Sequence, residues 1–530
     1  MLQPKPQTER YQDLITYIRK GYIKIPKFQR DFIWDIEKTA KLLDSVIRGY
    51  PIGTFTLWKT KERLRNIKNL GGANLPDSPK GDYVKYVLDG QQRLASLFLA
   101  IEGLEVIKNN KIVDYKEIYV DLDEDIINEN EIVVPEKPIK SKSISIYDLL
   151  SNFDLNDIVK NYSSYAKKIQ EYRERFMTYE FSTILLEDAP IDAAVEVFTR
   201  INTTGTELTL FEIMVAKTYD ESSNFDLYEK YKSLSEELED CQYNDIPSMS
   251  VLQCLAMNIV QNCTRSAILK LNKNEVISTW DKTVNSIKAA IDFFRTYFRI
   301  PVSRLLPYFT IIVPFSYFFF KRRKPNATQE KYLGEYFWRA SMSYRFAHGT
   351  GTKLIQDAKR IDMILKNKRP NYDDFIVMID KEHLIKYNFT TGDSYCKAIL
   401  CLYAYFEPKS FKNNAKVLLD NSWLKQSNSK NYHHFFPKFY LNSKKIDNEN
   451  SIVNITLIDD YLNKNEIKAK KPSKYLNEFA KSNRSLKSTM KSHLISNIED
   501  FGIWDDDYDK FLEKRSKKII EEISSRIGFK

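Results

Sequence analysis

Two adjacent histidines, His433 and His434, in Asn431-Tyr-His-His-Phe-Phe-Pro-Lys438 are the side chains best suited to chemistry in this 530-residue chain. Asn454 follows in an apolar segment, and Asn463 and Asn465 come shortly after it. Imidazoles and amides gathered within about thirty residues can hold one divalent ion and activate one water, which is what cutting a phosphodiester requires. The competing reading is a structural pair buried in an aromatic cluster with Phe435, Phe436, Phe439 and Tyr440.

A second candidate is the turn Asp89-Gly-Gln-Gln-Arg93, where an apolar strand runs into a helix over Leu94 to Ile101. Such a junction aims backbone N–H groups and a partial positive charge outward, which favours phosphate. Gly90 permits close backbone approach, Arg93 can fork onto phosphate oxygens, and Asp89 can take a metal ion or a sugar hydroxyl. The structural alternative is a helix start capped by Asp89 with Arg93 in a salt bridge. Gln29 and Arg30 lie among Phe28, Phe32 and Trp34, where Arg30 either grips an anion or stacks on Trp34. Thr209 and Glu212 have capping-box spacing at the start of a helix running to Lys217, and Asn202 and Gly205 in the preceding loop are candidates for touching a ligand.

These residues must be positioned by a chain long enough for two or three domains. Its 43% apolar and 13% aromatic content can fill ordinary cores. Short strand patterns at Phe55–Trp58, Tyr83–Leu88 and Glu117–Leu122 mix with a helical pattern from Ile36 to Arg48 in the first 215 residues. Long helical patterns such as Ile277 to Phe298 and Lys331 to Phe346 dominate 216–415. The expected architecture is α+β and helix-rich, with domains at 1–215, 216–415 and 416–530. Leu305–Phe320 is too short and too proline-interrupted for a membrane span and reads as buried core. Five cysteines without a CxxC pair suit a reducing cytoplasm and offer no zinc site.

A net charge of +10, from 81 basic and 71 acidic residues, leans only mildly towards a polyanionic partner. Local clustering is stronger: Lys464 to Lys491 holds nine basic and two acidic residues, with Tyr475 and Phe479 interleaved. Lys468, Lys470, Lys471 and Lys474 are the candidates for tracking a DNA backbone, and a solvated helix face is the alternative.

Taken together, "IPKFQRDFIW", "DSVIRGYPIGTFTLW", "YVLDGQQRLASL" and "FTRINTTGTELTLFEI", in this order, resemble the GmrSD-type N-terminal domain with its ParB-like core. The segments "HHFFPKFYL", "SIVNITLI" and "NKNEIKAKKPSKYL" resemble the HNH nuclease half of the same family, and "SYRFAHGTGTKLIQDAKRI" is in its style. The resemblance implies a ParB-like N-terminal domain, a helical middle and a C-terminal HNH (ββα-metal) domain. It implies a prokaryotic, anti-phage, modification-dependent (type IV-like) DNA endonuclease that uses Mg²⁺ or Mn²⁺. A nucleoside triphosphate of unspecified identity would be bound or hydrolysed at Asp89, Gln91, Gln92 and Arg93, with Gln29 and Arg30 lining the same pocket. By the same resemblance His434 is the general base, Asn454 orients the base or the phosphate, and His433 with Asn463 or Asn465 holds the metal.

One departure from that pattern stands out: His433 occupies a position where many HNH enzymes carry an acidic ligand. Asp459 and Asp460 are the nearest carboxylates in sequence. The alternatives are a nucleotide-dependent DNA-binding sensor with a nicking-only or inactive HNH domain, or an RNA-directed nuclease. A homo-oligomer is among the assembly states that the sequence allows.

Overall fold

The computed structural model describes residues 4–26, 34–64, 66, 69–70, 73–79, 81–108, 111–126, 130–201, 209–220, 222–422, 424, 431–459 and 462–528. The fold is α+β and helix-rich, and it divides into two compact units, Met1–Leu227 and Tyr228–Lys530.

The first unit is built on a five-stranded mixed sheet, ordered Lys5–Arg10, Glu180–Glu187, Phe55–Thr60, Val84–Asp89 and Ile23–Lys24. Phe55–Thr60 runs parallel to Glu180–Glu187 and antiparallel to Val84–Asp89. As the central strand it buries successive residues, Phe55 to Trp58, which is why its sequence is apolar without strict alternation. The helices Ile36–Arg48 and Gln91–Glu102 contribute Leu43, Val46, Ile47, Leu94, Phe98 and Ile101 to the same core. The expected capping box is formed, with Thr209 and Glu212 bonding each other's backbone at the start of the helix Leu210–Thr218.

In the second unit the helix Lys273–Thr296 buries Val276, Trp280, Ile287, Ile291 and Phe294 at helical spacing. Phe298 and Phe337 stack there with ring centroids 4.1 Å apart. The apolar stretch around Leu305–Phe320 forms the buried helix Ile312–Lys321, with Pro314 in its first turn, where no intrahelical N–H bond is lost. Among the described residues no helix is long and apolar enough to cross a membrane. The sequence suggested separate parts at 216–415 and 416–530. Here the helical segment and the C-terminal segment close on one another within a single unit: Tyr403 Oη donates to Ile452 O at 3.0 Å, and Arg339 Nη2 donates to Ile527 O at 2.6 Å.

Within this unit Tyr432–His434 pairs antiparallel with Ile455–Leu457, setting His433 opposite Thr456 and His434 opposite Ile455. The helix Tyr508–Ile527 lays Arg515 against this hairpin, fully buried. Its Nη1 donates to Val453 O and, at 2.7 Å, to Ile455 O, while Nε donates to His493 O at 3.1 Å. The guanidinium also lies 4.6 Å from the Tyr403 ring centroid. Arg515→Met keeps much of the stem but leaves three buried carbonyls without this donor. It should lower the unfolding free energy of the unit by at least about 3 kcal/mol, seen as a lower midpoint in urea or thermal melts. An unchanged midpoint would contradict this role.

Candidate functional site

The N-terminal turn is set by a strand that ends at Asp89 and a helix that begins at Gln91, with Gly90 between them at φ 88°. A Cβ on Gly90 would lie 2.4 Å from Phe55 Cδ1, so both backbone conformation and space require glycine. Arg93 reaches back across this corner. Its Nη1 donates to Ile52 O at 2.6 Å, and its Nη2 to Thr54 O at 3.1 Å and Asp89 Oδ2 at 3.2 Å. The guanidinium lies 5.2 Å from the Phe55 ring centroid, and a Cβ on Gly53 would come within 2.4 Å of its Nη1. Two of the recognisable sequence segments are therefore one packed unit pinned by Arg93. The sequence allowed this side chain to fork onto phosphate; the structure commits it to the chain's own carbonyls and to the Asp89 pair. The helix cap is Gly90 rather than Asp89. Gln91 and Gln92 are buried, and Gln92 Oε1 accepts from Trp34 N at 3.3 Å. Gln29, Arg30, Asn202, Gly205 and Asp460 lie outside the described residues.

The histidine pair forms the wall of a cavity of about 430 Å³, shared with Tyr432, Lys438, Phe439, Asn450, Asn463 and Lys468. His433 Nδ1 and Asn463 Oδ1 are 2.9 Å apart, while Asn463 Nδ2 donates to Tyr432 O at 3.1 Å. The amide N–H is thus spent on a carbonyl, so its oxygen faces the imidazole and His433 Nδ1–H is the donor. His433 Nε2 is then the unprotonated nitrogen, buried and without a hydrogen-bond partner among the described residues. His434 Nε2 lies 3.1 Å from Asn450 Oδ1. Asn454 is fully buried and does not reach the cavity: Oδ1 accepts from Phe436 N at 2.9 Å, and Nδ2 donates to Phe436 O and Glu449 O, each at 3.0 Å. Its amide clasps the loop between the strands and faces neither histidine, where the sequence reading has it orient the base or the phosphate.

Residues 11–219 match the family model described as GmrSD restriction endonuclease, N-terminal domain. The chain carries a GmrSD N-terminal domain. An uncharacterized protein of Methanocaldococcus jannaschii is 25% identical over 602 aligned residues, which cover 98% of this chain and 99% of that protein. The GmrSD match takes in the Asp89–Arg93 turn and ends before the histidine pair.

Beyond the GmrSD domain, the basic stripe is divided by its partners. Lys470 Nζ is 2.5 Å from Glu478 and Lys471 Nζ is 2.7 Å from Asp506. Lys468 and Lys474 are exposed, make no ion pair among the described residues, and only Lys468 lines the cavity. Asn463 faces His433, whereas Asn465 is exposed and off the cavity wall. Among the described residues no three His, Cys, Asp or Glu side chains cluster as a metal site. Asp459 accepts from Ser410 Oγ at 2.8 Å and Leu462 N at 3.0 Å, so both its oxygens are engaged away from the histidines. Lys438, absent from the sequence candidates, lines the cavity because it opens the short helix after Pro437.

Burial pushes the His433 imidazole down to about 3 and the His434 imidazole down to about 4, against an ordinary 6.5. For His434 the bond to Asn450 opposes the shift and the charge of Lys438 adds to it. His493, buried with Nε2 on Lys409 O at 2.8 Å, is likewise lowered to about 3. The unfolded chain binds these protons from pH 6.5 downward and the folded chain does not, so stability is full above that value and falls as the pH drops below it. Each imidazole contributes up to about 1.4 kcal/mol per pH unit. Melts should show a constant midpoint from about pH 8 to 7 and a falling one from about pH 6.5 to 5, above the range where carboxylates titrate. A flat midpoint down to pH 5 would show that these rings are not buried in the neutral form.

Proposed function

We propose that this chain is a nucleotide-responsive DNA endonuclease whose hydrolytic centre is the Tyr432–Leu457 hairpin. The observation that carries the reading is His434, neutral at physiological pH, on the wall of a cavity that also presents Lys438 and Lys468. A neutral imidazole can accept a proton from an attacking water, and two ammonium groups draw a phosphodiester into the same space. The description of the matched family, a restriction endonuclease, supports DNA as the substrate and foreign DNA as its source. Modification-dependent, anti-phage cutting is the finer form of this proposal.

His433 Nε2 and Asn463 Oδ1 face opposite sides of the imidazole ring, because Oδ1 is bonded to Nδ1–H, so in this arrangement one divalent cation, Mg²⁺ or Mn²⁺, would take one of them and not both, with Asn465 the remaining candidate from the sequence. A bound ion would supply charge stabilisation at the scissile phosphate. No carboxylate lines the cavity among the described residues, so the substrate phosphate would balance the ion's charge. His434 keeps its role as proton acceptor, and Asn454 holds the loop in register.

Supercoiled plasmid incubated with Mg²⁺ or Mn²⁺ tests the proposal. Wild type should nick or linearise it, and His434→Ala should lose at least about a hundredfold in rate with binding and melting midpoint retained. Retained cutting by His434→Ala would sink the assignment. The carboxylate-free lining of the cavity among the described residues favours a second reading, a sensor with an inactive site, which predicts an intact plasmid under every condition. RNA substrates run in parallel distinguish the RNA-directed alternative. Replacing Lys438 and Lys468 together with alanine should reduce the slope of log K against log salt by about 2.

The N-terminal turn is proposed as the nucleotide site, through Asp89, Gly90, Gln91 and Gln92, with Gln29, Arg30 and Asn202 as further contacts. Calorimetry with each of the four nucleoside triphosphates should give saturable heat for at least one; no heat with any would remove the nucleotide from the proposal.

A further inference from the structure

We propose that Asn450 is a positioning residue that fixes the tautomer and orientation of His434, and that it can do so only while clasped by Phe389 from the helical segment. The inference rests on His434 being the base proposed above.

The argument is one of donors and acceptors. Asn450 Nδ2 donates to Phe389 O at 3.0 Å, and a carbonyl can only accept. The other end of the amide, Oδ1, is therefore what meets His434 Nε2 at 3.1 Å. An amide oxygen can only accept, so the ring proton of a neutral His434 sits on Nε2. Nδ1 is left with a lone pair, the form a general base needs. The main chains of the same two residues also meet, with Phe389 N donating to Asn450 O at 2.8 Å. Neighbouring bonds extend the clasp: Ile452 N donates to Tyr387 O at 2.9 Å, and Asn448 Nδ2 donates to Ile385 O at 2.8 Å. Residues 385–389 thus act as a rail along the loop 448–452, and Asn450 is held by chain 61 residues upstream of it. Phe389 is buried and lines the same cavity, so the rail is also part of the wall.

The test uses the full chain labelled with ¹⁵N-histidine, its five histidines assigned by substitution. Wild-type His434 should show the Nε2–H neutral form at neutral pH, and Asn450→Ala should show a mixture of tautomers. On any DNA the wild type cleaves, Asn450→Ala should lower kcat by on the order of 10–100-fold with KM unchanged. Asn450→Asp, which keeps an acceptor oxygen but cannot donate to Phe389 O, should keep the Nε2–H tautomer without restoring kcat; full recovery of kcat by Asn450→Asp would overturn the need for the clasp. An Nδ1–H form in the wild type overturns the proposal, as does an Asn450→Ala protein with unaltered tautomer or unaltered kcat. If Asn450→Ala does not fold, the wild-type tautomer and Asn450→Asp still decide. The spectrum is read without substrate, so the proposal can fail while cleavage stands, and cleavage can fail while the tautomer is as expected.

Discussion

A hairpin with three residues on each strand does not hold together in water by its own ladder, and Tyr432–His434 with Ile455–Leu457 is such a hairpin. The bonds that Arg515 makes to carbonyls on both sides of Asn454 supply what the ladder lacks. This guanidinium is buried without a carboxylate partner among the described residues, and burial lowers its pKa. Its charge is stabilised by carbonyl dipoles and by the Tyr403 ring instead. The arrangement is costly if any acceptor is lost, which makes it specific. Only a hairpin with Val453, Ile455 and the His493 carbonyl in these places can accommodate the cation. The helix Tyr508–Ile527 therefore dictates where the histidines stand.

Fixing the hairpin in an aromatic interior has an electrostatic consequence. Phe411 and Tyr475 pack edge-on to His433, and Tyr475 Oη donates to Phe435 O at 2.7 Å, closing the floor beneath it. A ring in such surroundings stays neutral, so the desolvation that stabilises the core also keeps one nitrogen of each imidazole as a lone pair. No carboxylate lines the cavity among the described residues. The site can therefore offer basic nitrogens with little acid to compete for them, but it cannot balance a dication unaided. On the proposed reading, cation and phosphate binding would be tied together, with the cavity lysines Lys438 and Lys468 on the phosphate side of that balance.

Elements whose causes are local were legible in the sequence. The Ile36–Arg48 helix, the Thr209–Glu212 capping box and the strand core at Phe55–Trp58 all follow from spacing, capping chemistry and apolar runs. The grouping of His433, His434 and Asn463 was also legible, since they lie close in sequence. Partners far apart in sequence were not. Arg93 looked like an anion ligand because its acceptors, Ile52 and Thr54, are some forty residues away and are backbone atoms with no sequence signature. Asn450 was lost among neighbouring asparagines because its partner at Phe389 is likewise a backbone carbonyl. Asn463 and Asn465 were inseparable by type and spacing; only the turn of the chain at Leu462–Ile467 aims one at His433 and leaves the other in solvent.

Arg93 and Arg515 use one device in two places. Each guanidinium ties its own helix to backbone carbonyls distant in sequence, beside a tight turn or a short hairpin, and each lies against an aromatic ring. The difference is exposure. Arg515 is sealed, whereas Arg93 and its partner Asp89 retain partial access to solvent, with side chains 18% and 34% exposed. A polyanion reaching the N-terminal turn would compete with the Ile52 and Thr54 carbonyls and with Asp89 for the same donors. Capturing Arg93 would loosen the corner that Gly53 and Gly90 make possible. In this geometry Arg93 pins the corner, so a loss of its partners cannot leave the corner unchanged.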